Sequence, residues 1–399
     1  MSLDLSKVAP PVGRMVARLK DDRVEREKRL RSALGIIGDE ALDLERLKKK
    51  IIESRTTWLV AELVEKPANR YQEPSSPDDF SVIATDGSHI DVDRHRSTRC
   101  FLINVGSVTL RYGADPEAVL ESSPRLYADD EDLVIRPTGD RGREQTVEGT
   151  LLGIKRGVEE CRRLAGLAAG MPPGSHTLAL LDGTLILWGL EAYSDFVTEA
   201  LLTDGFLSCL EDMRQLNKDR KLAMASYISF PRSTDVVNAL RVAICPYEPA
   251  DCDRNCPPSK GRECDAVDGV RDRDLFLNRL ADGERSARFI SPSKIVRERY
   301  GEHQVYFFYV RSGDEVARVE IPRWVAENGE LLDLTHALVL DQCRRGQGYP
   351  VALAEAHEQA VVTGANKEEF WRLVEALCLE EKITTLTSAK SFSKKTRWV

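Results

Sequence analysis

No run of about 18 apolar residues occurs anywhere in the 399-residue chain, which excludes a membrane-spanning helix. The first residues, Met1 to Lys7, lack the charged and apolar regions of a signal peptide. The expected compartment is therefore the cytoplasm. A cationic excess is lacking too: 57 Lys and Arg stand against 65 Asp and Glu, a net charge of −8. That balance argues against a protein that coats nucleic acid through bulk electrostatics. It does not exclude a nuclease, whose basic residues need only line one channel. An even set of cysteines is also missing. Nine are present, which does not suggest a secreted disulfide framework.

What is present is the tripeptide Asp-Gly-Ser/Thr, twice, each time after a short apolar run. The first is Val82-Ile-Ala-Thr-Asp86-Gly87-Ser88 and the second Leu178-Ala-Leu-Leu-Asp182-Gly183-Thr184. Such runs bounded by glycine read as strands buried on both faces. If the strands are neighbours, their carboxylates converge. Two carboxylates in one site repel unless a proton or cation lies between them. Hard divalent cations, Mg²⁺ or Mn²⁺, fit that need and point to phosphoryl chemistry. The competing reading is that each Asp is a helix N-cap. A third signal is Gly348-Tyr349-Pro350 followed by Glu355-Ala-His357. Pro350 suits a first helical turn, so Tyr349 and His357, a little over two turns apart, lean toward one face.

These residues resemble the NurA nucleases. The resemblance rests on the two Asp-Gly strands, the Gly-Tyr-Pro…Glu-Ala-His stretch, and Ser226-Tyr-Ile-Ser-Phe-Pro231-Arg232-Ser233 with Val236-Val-Asn-Ala-Leu-Arg241, which is similar to the bacterial branch. It spans about residue 80 to the C-terminus. It implies a divalent-metal-dependent DNA nuclease of RNase H-like fold, a 5′-to-3′ exonuclease and single-strand endonuclease for DNA end processing. It also implies a homodimer working with a HerA-type hexameric ATPase. Asp86 and Asp182 would be metal ligands of a two-metal Mn²⁺ or Mg²⁺ site, joined by a glutamate from the preceding helix. Glu159 and Glu160 are both candidates, with Glu148 the weaker. His357 would be a metal ligand or proton donor, and Tyr349 would orient the phosphate. Arg232 and the tail residues Lys390, Lys394 and Lys395 would hold DNA, basic residues among aromatics suiting single strands. The alternatives are a non-catalytic, metal-stapled nucleic-acid-binding subunit, or another RNase H-like nuclease.

The organisation expected is a helical arm over 1–72 and a nuclease domain over 80–399, interrupted by a Cys-rich insertion at 245–290. The arm reads as two helices, Arg14 to Arg31 and Ala41 to Glu65, broken at Gly35 to Gly38. In the core, Thr98 to Arg111 reads as a hairpin partner of the first Asp-Gly strand. A helix is expected over 144–169, another from Tyr193 to Arg214, and three at the end, about 331–345, 350–363 and 366–380. The pattern is α/β with a mixed sheet flanked by helices. The insertion holds Cys245, Cys252, Cys256 and Cys264, spaced C-x6-C-x3-C-x7-C. It has few large apolar residues, so a structural Zn²⁺ or an iron–sulfur cluster would supply folding energy. The other five cysteines read as buried hydrophobes.

Overall fold

The computed structural model describes residues 4–93, 98–137, 139, 142–257 and 261–383. Its principal elements, in chain order, are α1 (Ala9–Ile37), α2 (Leu44–Glu53), β1 (Phe80–Ile90), β2 (Phe101–Tyr112), β3 (Glu117–Tyr127), α3 (Thr150–Ala169), β4 (His176–Asp182), β5 (Lys221–Ile228), α4 (Asp235–Ala243), β6 (Val305–Ser312), β7 (Glu315–Pro322), α5 (Gly329–Arg345), α6 (Val351–Ala360) and α7 (Gly364–Glu380). None of its helices is long and apolar enough to cross a membrane, among the described residues.

The chain forms two compact units. One comprises Met1–Glu73, Ile228–Arg297 and Tyr306–Val319; the other comprises Pro74–Tyr227, Glu298–Val305 and Glu320–Val399. The residues expected as a separate arm and those of the Cys-rich insertion thus share one unit. The reason is a common core. Ala33, Ile37, Leu47 and Ile51 of the two N-terminal helices pack in one cluster with Val236, Val237 and Leu240 of α4. Ala250, Val267, Val270, Leu275 and Phe276, from the insertion itself, complete that cluster with Phe289 and Phe307. The insertion therefore has apolar residues to fold around, contrary to its local composition. The second arm helix is shorter than its periodicity suggests. It stops at Glu53, capped by extended Ser54, and Glu62–Leu63 instead pairs as a strand with Phe289–Ile290. β-branched Thr56 and Thr57 follow the cap, and such residues favour extended backbone.

The other unit is built on five strands of a larger mixed sheet, in the order β3-β2-β1-β4-β5. β1, β2 and β3 form an antiparallel meander, while β4 lies parallel to β1 and β5 parallel to β4. Every residue from Val82 to Thr85 and from Thr177 to Leu181 is buried, as continuous apolar runs in a covered sheet should be. Helix α3 covers it with Leu152, Val158, Cys161 and Leu164. β3 carries Pro124, which a sheet edge tolerates, and residues 117–126 of this edge strand are exposed. The expected helix from Tyr193 to Arg214 is broken into an α-turn (Asp195–Thr198), a π-helical stretch (Glu199–Leu207) and a second α-helix (Ser208–Leu216). Gly205 sits in the π-stretch where an added Cβ would lie 3.0 Å from Val158 of α3, so close packing accompanies the irregular turn.

Candidate active site

The parallel register of β1 and β4 runs from Ser81 opposite Thr177 to Thr85 opposite Leu181. Carried one residue further, it sets Asp86 beside Asp182. The two motifs reach this point differently. At β4 the strand ends: Gly183 takes φ +84°, open to glycine alone without cost, and its N–H donates to the Tyr227 carbonyl at 3.0 Å. At β1 the strand continues through Gly87 to Ile90, so the first Asp-Gly is not a turn. Gly87 is required for space instead. A Cβ there would lie 2.4 Å from Glu160 Oε1 and 3.0 Å from Arg156 Cγ.

Helix α3 delivers Glu160. Thr85 donates to the Glu160 carbonyl at 3.0 Å, which pins this turn of α3 to β1. Burial pushes the Glu160 carboxyl up to about 7; Asp86 and Asp182 add to the rise, and Arg156 opposes it. Arg156 Nε lies 2.9 Å from Glu160 Oε1 as an ion pair, although the contact lacks hydrogen-bond geometry at this buried oxygen. Glu159, one residue earlier, points elsewhere. It pairs with Arg162 at 2.6 Å and lies against Tyr127, whose hydroxyl burial and Glu159 together push up to about 12.

Helix α6 delivers His357, and a second glycine allows it. Gly106 faces Asp86 across the β1–β2 pair. A Cβ on Gly106 would lie 2.2 Å from the Ala356 carbonyl and 2.4 Å from Ala360 N, so α6 rests on bare backbone. Ser88 and Asn104 Nδ2 donate to the Ala360 carbonyl at 2.5 and 2.9 Å, and the amide also reaches Gln359 O at 3.1 Å. These bonds satisfy carbonyls left open at the helix end. His357 Nδ1 then lies 2.7 Å from Asp86 Oδ2, with the imidazole 62% exposed and the carboxylate 14%.

Tyr349, just before α6, donates to Asp182 Oδ1 at 3.1 Å. Its ring meets Tyr227 edge-on at 5.6 Å. Burial, then the Asp182 charge, raises its hydroxyl far above the tyrosine range. Asp182 is accessible at the strand tip, but protein crowds its other sides. That burial raises its carboxyl, Tyr349 opposes the rise, and Asp86 adds to it. Behind it, Glu320 Oε2 accepts from Thr184 Oγ1 at 2.7 Å and Leu185 N at 2.9 Å, fixing the turn.

The structure therefore brings together Asp86, Asp182, Glu160, Tyr349 and His357. Arg156, Asn104 and Glu320 are additions that no single motif announced; only the i, i+4 spacing of Arg156 to Glu160 was visible. His89, three residues past Asp86, faces Asp91 at 3.8 Å. Arg232 is exposed and belongs to the other unit. Lys390, Lys394 and Lys395 lie outside the described residues. Cys245, Cys256 and Cys264 line one cavity of about 110 Å³. Cys252 lies near them: burial, then Cys256, Cys264 and Cys245, raises its thiol. Cys264 Sγ also faces Arg241 Nη2 at 4.0 Å. Among the described residues, no three His, Cys, Asp or Glu side chains are already arranged to hold a metal ion. The acidic groups are instead engaged by His357, Tyr349 and Arg156.

No curated protein matches the chain. The NurA domain, whose family is one of nucleases acting on nucleic acid, matches residues 80–362. That span holds every residue of the acidic cluster and more than half of the sequence, so the chain belongs to the NurA family.

Proposed function

We propose that this protein is a divalent-metal-dependent DNA nuclease whose active site is the Asp86–Asp182–Glu160–His357–Tyr349 cluster. The observation that carries the reading is the buried Glu160 carboxyl, its Oε1 ion-paired with Arg156 but without hydrogen-bond geometry, set beside two further carboxylates. Three carboxylates sharing one pocket repel unless a cation or protons intervene. All-oxygen donors with one imidazole suit Mg²⁺ or Mn²⁺. Asp86, Asp182 and Glu160 would hold the ions, once Arg156 turns away from Glu160. The ions, when bound, would polarise the scissile phosphate and lower the pKa of water.

The protein's own groups account for the remaining steps. Tyr349 holds the Asp182 carboxylate in one orientation. His357, anchored by Asp86 through Nδ1, keeps its exposed edge toward solvent and substrate. In hydrolysis a water oxygen bonds to phosphorus, giving up one proton to bulk solvent, and the ester P–O bond breaks. The leaving oxygen needs a proton, and His357 is placed to supply it. Arg156 is the cation beside the cluster that can meet a phosphate oxygen.

The strand order β3-β2-β1-β4-β5, an antiparallel meander followed by parallel strands, supports an RNase H-like assignment. Exonuclease action from 5′ ends, single-strand endonuclease action, homodimerisation and work with a HerA-type ATPase come with the family resemblance. A structural zinc or iron–sulfur cluster on Cys245, Cys252, Cys256 and Cys264 is a separate proposal, supported by the cavity that Cys245, Cys256 and Cys264 line and by their closeness to Cys252.

The test is cleavage of linear DNA with Mn²⁺ against EDTA. Asp86→Asn and Asp182→Asn should each abolish cleavage while leaving the fold intact. Full activity in either variant, or equal activity in EDTA, removes the proposal.

A further inference from the structure

We propose that the exposed face of α1 pairs with the same face of a second copy of this chain, in antiparallel orientation. Every residue from Asp4 to Lys28 is exposed, and α1 turns into its own unit only from Arg29 onward, where Ala33 and Ile37 are buried. A solitary helical stretch of this length is marginal in water, because helices in proteins gain most of their stability by packing a face. Val8, Val12, Met15 and Leu19 fall at i, i+4, i+7 and i+11 and form one stripe, 38%, 45%, 49% and 50% exposed. Val16 lies beside it, 55% exposed. Alternating steps of four and three are the seam of a coiled coil, so the fitting occupant is another helix.

Three features select a second copy and the antiparallel direction. A two-fold axis between Val12 and Met15 sets Val8 against the partner's Leu19 and Val12 against the partner's Met15. Each layer then pairs a β-branched side chain with a longer one not branched at Cβ, and the interface is self-complementary, as a two-fold interface must be. Second, a parallel in-register pair would stack Asp22 on Asp22 and Arg26 on Arg26 along the continued seam. It would also set Arg18 beside Arg23 on the flank. These like-charge contacts are unfavourable, and the antiparallel pair makes none of them. Third, the antiparallel pair carries the partner's Leu5, a residue 69% exposed, to the level of Asp22. There it meets a groove of about 320 Å³ at the root of α1, lined by Leu19, Arg23, Arg26, Leu30 and Val270 among others.

The inference gives the homodimer proposed above its surface and does not depend on the nuclease reading. Sedimentation velocity of the full chain at tens of micromolar should give twice the monomer mass. The double variant Val12→Glu/Met15→Glu, both exposed positions, should sediment as a monomer with an unchanged urea-unfolding midpoint. A photo-reactive benzoylphenylalanine in place of Leu19 should join two chains through the peptide containing Val8. A monomeric wild type, a dimeric double variant, or the absence of any cross-link between chains overturns the proposal. A cross-link from Leu19 to the partner's Leu19 peptide overturns the antiparallel direction. Loss of DNA cleavage plays no part in these readouts, so failure of the nuclease reading would be seen separately.

Discussion

Replacing Gly106 by alanine tests whether α6 is held at the distance His357 needs. The new Cβ would start 2.2 Å from the Ala356 carbonyl and 2.4 Å from Ala360 N. Comfortable non-bonded contact is about 3.5 Å, so the helix must retreat by about 1 Å. Both obstructing atoms are backbone, and no side chain can swing aside to absorb the change. The retreat acts on the bond between His357 and Asp86, now 2.7 Å, because Asp86 is the residue opposite Gly106. A misplacement of about 1 Å at a reacting group costs on the order of 100-fold in rate. Overpacking of this kind costs about 1–3 kcal/mol in stability. The assay is single-turnover cleavage of a labelled linear duplex with Mn²⁺, alongside a urea-unfolding curve. The control is Gly153→Ala in α3, where an added Cβ meets nothing within 4 Å and helix propensity predicts a gain of roughly 0.5–1 kcal/mol. Wild-type rate in Gly106→Ala, with the protein folded, would refute the argument that bare backbone at this position sets the site.

Glu160→Gln should lose cleavage and Glu159→Gln should largely keep it, since only the first faces the two aspartates; equal effects would remove the assignment. The pH dependence has a definite sign. The folded Glu160 carboxyl sits at about 7 against 4.5 in the ordinary state, so the folded protein binds this proton more tightly. The stability it contributes is present at low pH and is lost as pH rises from about 4.5 through about 7, by up to roughly 3 kcal/mol. Metal-free Glu160→Gln should therefore resist urea better than wild type at pH 8 and no better at pH 4, while wild-type cleavage should rise with pH toward neutrality. Tyr349→Phe keeps the ring on Tyr227 but loses the bond to Asp182, worth about 1 kcal/mol; about fivefold slower cleavage, with a melting temperature lowered by no more than about 4 °C, is expected. Elemental analysis of anaerobically purified protein should give about one zinc, or several irons with visible absorbance, per chain. A metal-free chain would reduce Cys245, Cys252, Cys256 and Cys264 to ordinary thiols.

The sequence by itself determined where carboxylates could stand. Asp86 and Asp182 follow short continuous apolar runs bounded by glycine, which read as covered strands, and Pro350 starts the helix of His357. It also determined the α/β character, because strand and helix periods differ. Which strands are neighbours was decided only by tertiary structure: the parallel β1–β4 register, not the motif, sets Asp86 beside Asp182. The choice between Glu159 and Glu160 was equally hidden. Adjacent helical residues point about 100° apart, and only the packing of α3 on Thr85 and Gly87 turns Glu160 inward. Gly87 and Gly106 look alike in sequence to any turn glycine, yet both lie in strands and leave room for another element. The arm and the insertion read as separate pieces because their local composition is polar. Their few apolar residues, Ala33, Ile37, Leu47 and Val267 among them, converge across more than two hundred positions of sequence. Local periodicity carries no information about such distant partners, and burial of shared apolar surface decides them only when the whole chain folds.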